Sequence, residues 1–105
     1  RKNKLGDLVS APTDVILDEL NALQPDIIFI SNKNQQIIQE RGVFGPPDLL
    51  IEILSRSTKT KDLGVKYKTY QNFGVKEYWI VDPMKKTIEV FVLEKTKLRS
   101  SQILL

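Results

Sequence analysis

The most apolar stretch of the chain runs Asp48-Leu49-Leu50-Ile51-Glu52-Ile53-Leu54-Ser55, with Leu and Ile on both parities. That pattern predicts a strand buried on both faces. Pro25-Asp26-Ile27-Ile28-Phe29-Ile30 is a second strong strand, β-branched and aromatic. Leu8-Val9-Ser10 and Asp14-Val15-Ile16-Leu17 are shorter strand candidates, with Ala11-Pro12 as a bend between them. Asp18 to Asn21 reads as a turn. Ser31 to Gly42 is polar apart from Ile37 and Ile38, which predicts a loop with at most a short helix. Gly45-Pro46-Pro47 forces a break before the Glu52 strand. Ser57 to Phe73 is the one good helix: Ser57, Thr58 or Thr60 can cap it, Asp62 lies in its first turn, and Gly74 fits its stop. Glu77 to Asp82 is a further strand, ended by Pro83. Thr87 to Leu93 alternates with period two and predicts a half-exposed edge strand, joined through a hairpin at Met84-Lys85-Lys86. The tail from Glu94 to Leu105 is ambiguous. The order β, β, β, α, β, β indicates a mixed sheet with helix packing, and no repeat interrupts it.

Composition narrows the chemistry. At 105 residues the length is that of one domain, expected to span residues 1–105. There is no Cys, so no disulfide framework and no thiolate site. There is no His, which removes the usual zinc ligand and every Ser-His or Cys-His device. Chemistry is left to carboxylates, Lys, Arg, Tyr, hydroxyls and a hard metal ion such as Mg2+. The net charge of +3 permits a polyanionic partner without demanding one. No apolar run approaches the roughly 18 residues that a membrane span needs, and no signal-peptide pattern is present, so a cytoplasmic location is expected. The chain opens at Arg1 in a basic stretch and reads as part of a longer protein.

Glu52 concentrates the interest. A carboxylate on a doubly buried strand must be desolvated, at a cost of several kcal/mol unless a cation, a metal or a full set of hydrogen bonds meets it. Asp48, Leu50, Glu52 and Leu54 share one parity, as do Asp26, Ile28 and Ile30 on the earlier strand. If the two strands are neighbours, Asp26 and Glu52 stand about 5 Å apart, and a divalent cation between them relieves their repulsion. The second Pro-Asp pair, Pro47-Asp48, lies roughly 13 Å along the strand from Glu52, too far to share one ion. On the helix, Leu63, Tyr67, Tyr70 and Phe73 fall on one arc with Lys66 inside it. A Lys ammonium beside two carboxylates suits phosphoryl chemistry. Plainer readings stand beside this one. Glu52 can be a structural carboxylate bridged to Lys66 or Arg56. Asp62 and Lys66 are spaced as a surface i, i+4 pair. Asp26 and Asp14 can be strand-entry residues, and the tyrosines and Trp79 core.

Five blocks in series carry a resemblance: Ala11-Pro12-Thr13-Asp14-Val15, Gln24-Pro25-Asp26-Ile27, Gly45 to Ser55, Asp62-Leu63-Gly64-Val65-Lys66-Tyr67, and Glu77 to Pro83. Together they resemble the Uma-type restriction endonucleases, a bacterial family of the PD-(D/E)XK nuclease superfamily. The resemblance implies an α/β, restriction-endonuclease-like fold, with a mixed four- or five-stranded sheet flanked by helices. It also implies Mg2+- or Mn2+-dependent hydrolysis of DNA. Asp26 and Glu52 match the superfamily's metal-binding acids. The motif's Lys, due two residues after Glu52, is replaced by Leu54, and Lys66 is the implied substitute. Asp14, Gln24 and Asp62 are implied accessory residues, Asp62 orienting Lys66. The family's N-terminal helical region has no counterpart in this sequence. The competing expectations are a catalytically silent nuclease-fold module that binds nucleic acid or protein, and a fragment that pairs as a homodimer through apolar surface.

Overall fold

A computed structural model of the chain describes residues 5–10, 13–55 and 60–104. Six strands form the main sheet: β1 (Gly6–Ser10), β4 (Ile27–Ser31), β7 (Leu49–Ile53), β8 (Glu77–Asp82), β9 (Thr87–Glu94) and β10 (Lys97–Leu104), in the spatial order β1-β4-β7-β8-β9-β10. A smaller four-stranded sheet has the order β3-β2-β6-β5, from β2 (Val15–Asp18), β3 (Asn21–Leu23), β5 (Ile38–Gln39) and β6 (Gly42–Phe44). A 3-10 turn over Asn32–Ile37 occupies the polar loop, and the single described α-helix, α1, spans Thr60–Asn72.

The main sheet is mixed: β7 and β8 run parallel, with α1 as the crossover, and the other pairs run antiparallel. A parallel pair needs such a crossover, and α1 supplies it between β7 and β8. The resemblance implies four or five strands, and the main sheet has six. The expectation of an edge strand at Thr87–Leu93 fails, because β10 pairs with β9 from Lys97↔Glu94 to Leu104↔Thr87. Sheet order therefore puts β9 inside and β10 at the rim. The predicted hairpin at Met84-Lys85-Lys86 forms, with Asp82 Oδ1 accepting from the Met84 and Lys85 amides at 3.1 and 3.2 Å. The predicted helix start at Ser57, its caps at Ser57 and Thr58, and the Ala11-Pro12 bend lie outside the described residues.

The helix stop is explicit. The Val75 amide donates to Tyr70 O at 3.0 Å and the Gly74 amide to Gln71 O at 3.2 Å, with Gly74 at φ +81°. This is a Schellman end, sealed by apolar contact between Tyr70 and Val75, both fully buried. Gly74→Ala has open space for its methyl but the wrong backbone region, so it should cost about 1 kcal/mol in a chemical melt.

The two faces of the main sheet differ sharply. On one, Ile28, Ile30, Leu50 and Tyr78 are fully buried under Tyr70 of α1 and under Val15 and Val43 of the small sheet. On the other, register aligns Ile27, Ile51, Trp79 and Val90 in one row and Ile53, Val81, Ile88 and Ile103 in the next. None of these is fully buried, and Ile53 and Ile103 are about half exposed. No helix among the described residues is long and apolar enough to cross a membrane.

Candidate active site

Glu52 is buried, at 7% exposure, on the core side of β7 where α1 crosses it. Its Oε2 accepts two hydrogen bonds, from Lys66 Nζ at 3.1 Å and from the Tyr70 hydroxyl at 3.1 Å. Lys66 and Tyr70 stand one helical turn apart on α1, so one helix face delivers both donors. Burial pushes the Glu52 carboxyl above its ordinary value. Lys66 and Tyr70 pull against this, and the nearby Asp26 charge adds to the push. The Tyr70 hydroxyl is pushed well above the ordinary tyrosine value, by burial first and the Glu52 charge second, so it remains a donor.

Asp26 enters β4 beside Glu52. Register pairs Ile27 with Ile51, the Asp26 amide donates to Ile51 O at 3.1 Å, and Asp26 Oδ2 accepts from the Ile53 amide at 2.6 Å. Asp26 is thus clamped to the strand that carries Glu52. Its Oδ1 is not used by that bond, and Oε1 of Glu52 is not used by Lys66 or Tyr70. The two carboxylates and Lys66 line one cleft of about 490 Å3, with Gln24, Leu54 and Ser55 also on its wall. Leu54, two residues beyond Glu52, is half-buried on that wall.

The accessory residues divide. Gln24 lines the cleft and donates from Nε2 to Asp14 Oδ1 at 2.7 Å. Asp14 itself faces a second hollow of about 330 Å3, shared with Gln24, Glu40 and Arg41. The Asp62 side chain lies outside the described residues, so its predicted orienting of Lys66 does too. Asp48, the other Pro-Asp acid, is used up elsewhere. It accepts from the Ser31 amide at 2.6 Å and from Asn34 Nδ2 at 3.0 and 3.1 Å, and pairs with Lys76 at 3.4 Å. Burial opposes its charge, but these bonds win and hold its carboxyl below the ordinary value.

Sequence reasoning placed Tyr70 only in the core. Its i, i+4 spacing from Lys66 was the available signal, since a residue one turn away on the same face reaches the same target. Among the described residues no group of three or more carboxylates is placed to hold a metal; Asp26 and Glu52 are a pair. Two carboxylates suit Mg2+ or Mn2+, which take one or two protein oxygens and keep water and phosphate as the remaining ligands.

The whole chain, residues 1–105, matches the profile of the Uma2 family, described as "Putative restriction endonuclease". The chain belongs to the Uma2 family. No curated protein matches it. Among solved structures it resembles a "putative nuclease belonging to DUF820" from Anabaena variabilis ATCC 29413, at 16% identity and a TM-score of 0.75. The match covers 94% of this chain and 55% of that one, so this Uma2 chain spans about half the length of that solved chain. The likeness establishes the fold: a mixed α/β arrangement shared with that protein.

Proposed function

We propose that this Uma2 protein is a divalent-metal-dependent DNA endonuclease with Asp26, Glu52 and Lys66 as its catalytic residues. The observation that carries the reading is the convergence of two carboxylates and one ammonium on a single cleft, at a buried position where an unpartnered carboxylate is costly. Asp26 and Glu52 would hold the ion, each through the oxygen left over by its protein hydrogen bonds. The bound metal supplies Lewis-acid polarisation of the phosphodiester and charge neutralisation. Lys66 places its positive charge where the pentavalent phosphate gathers negative charge, and it can orient the attacking water. Gln24, anchored to Asp14, adds a polar amide to the cleft wall for a substrate oxygen or a metal-bound water.

One observation favours a silent scaffold instead. At 3.1 Å the Lys66–Glu52 pair is already formed, and it satisfies both charges without any ligand. Calorimetry with Mg2+ and Mn2+, run beside cleavage of supercoiled plasmid DNA, separates the two. A nuclease binds the ions and nicks or linearises the plasmid only in their presence. A well-folded protein that takes up neither ion refutes the catalytic reading and leaves the ion pair as architecture.

A further inference from the structure

We infer that Tyr70 is the positioning residue of Glu52: it fixes which carboxylate oxygen faces the cleft and keeps Glu52 partnered when Lys66 turns to substrate. This rests on the nuclease reading and adds to it a role that the sequence motifs do not mark.

Three observations carry it. Both donors from α1 meet the same oxygen, Oε2, so the carboxylate is pinned at one end and Oε1 is the oxygen they leave unused. The two donors are unlike in their freedom. The Lys66 side chain keeps 26% exposure at the cleft, whereas Tyr70 is fully buried. Finally, the Tyr70 ring is enclosed by its neighbours. It packs edge-on against Tyr78 with centroids 4.8 Å apart, and its backbone carbonyl closes the helix end through the Val75 amide.

A lysine that must reach a phosphoryl oxygen has to loosen its hold on Glu52. A buried carboxylate oxygen left without a donor is costly. With Tyr70 in place Oε2 keeps one hydrogen bond, and the orientation of the carboxylate survives the movement of Lys66. Tyr70 is neutral, so it does this without competing with a cation for the carboxylate charge. Partners of this kind around metal-binding side chains typically change metal affinity or activity by about 10–100-fold when removed.

The neighbouring tyrosine provides the control. Tyr78 is as buried as Tyr70, but its hydroxyl has no hydrogen-bond partner among the described residues. The test is Mn2+ titration calorimetry on the wild type, Tyr70→Phe, Tyr78→Phe and Lys66→Met, with melting curves for each and steady-state plasmid cleavage for the tyrosine variants. Tyr70→Phe should weaken Mn2+ binding about tenfold or more and lower kcat with KM for DNA unchanged. Tyr78→Phe should match the wild type in both. Lys66→Met, with Tyr70 intact, should retain Mn2+ binding. Wild-type affinity in Tyr70→Phe overturns the role while leaving the nuclease reading standing. Loss of binding in Lys66→Met overturns it as well, and does so even if Tyr70→Phe proves too unstable to titrate. A wild type that binds no Mn2+ removes the nuclease reading and this role together.

Discussion

Glu52→Gln is expected to abolish Mg2+ and Mn2+ binding, to lower DNA cleavage by at least about a hundredfold, and to leave the fold intact. The first two follow from deleting the charge that the ion needs. The third is less obvious, because breaking a buried ion pair commonly costs about 3–5 kcal/mol. Two features of this site reduce that cost. Lys66 is about a quarter exposed, so an abandoned ammonium reaches water. The Glu52 carboxyl is also held above its ordinary value of 4.5, meaning that its surroundings, Lys66 included, disfavour the anion relative to water. The sign of the pH dependence follows. The folded protein binds this proton more tightly than the unfolded chain does. The group's contribution is therefore complete below about 4.5 and is lost as pH rises through the folded value. Gln mimics the protonated form at every pH. Urea melts should show Glu52→Gln at least as stable as the wild type at neutral pH, with the gap closing as pH falls towards 4. A loss near 3 kcal/mol or more at neutral pH, with ion binding retained, would instead identify Glu52 as half of a structural bridge.

Asp48→Ala should have the opposite profile, destabilising the protein by about 2–4 kcal/mol while the folded fraction binds ions as the wild type does. Asp48 ties the end of β4 and the 3-10 turn to the start of β7, through the Ser31 amide and Asn34, and its side chain is only 11% exposed. Removing it leaves a part-buried amide without its acceptor and frees the polar loop. Here the carboxyl lies below its ordinary value, so the contribution is present above about 3.8 and is lost as pH falls through the lower, folded value. Urea midpoints for the wild type and Asp48→Ala should therefore converge in strong acid. An Asp48→Ala protein of wild-type stability at neutral pH would show that the loop is held by other means. The two acids that follow a proline thus predict contrasting phenotypes from the same dipeptide.

That contrast also measures what a sequence can disclose. Spacing alone put Asp48 too far along the strand from Glu52 and put Asp26 beside it, and the clamped geometry of Asp26 agrees with its predicted place. The strands around Ile28, Leu50 and Tyr78 were readable because their apolar runs are long. β10 was not, since Leu98 and Ile103 stand apart among Lys97, Arg99, Ser100 and Ser101. Its turn also uses Lys95 at φ +59° where a glycine or asparagine would have signalled a hairpin. Of the small sheet only β2 was legible, as the candidate at Asp14 to Leu17; β3, β5 and β6, of two or three residues, carry too little pattern. Tyr70 looked like core packing, and it is; its i, i+4 spacing from Lys66 hinted at the shared target, but the same periodicity also marks an ordinary core position.

The row of Ile27, Ile51, Trp79 and Val90, taken with the DNA contacts proposed above, would give the chain two surfaces with opposed responses to salt. Contacts of its basic residues with a polyanion weaken as ionic strength rises. Attraction between apolar sheet faces strengthens, most of all in sulfate or phosphate. Conditions of high salt that suppress DNA contacts would therefore be those that strengthen any attraction through this face. A chloride buffer of low to moderate strength, where neither surface dominates, is where the behaviour of the cleft itself becomes measurable.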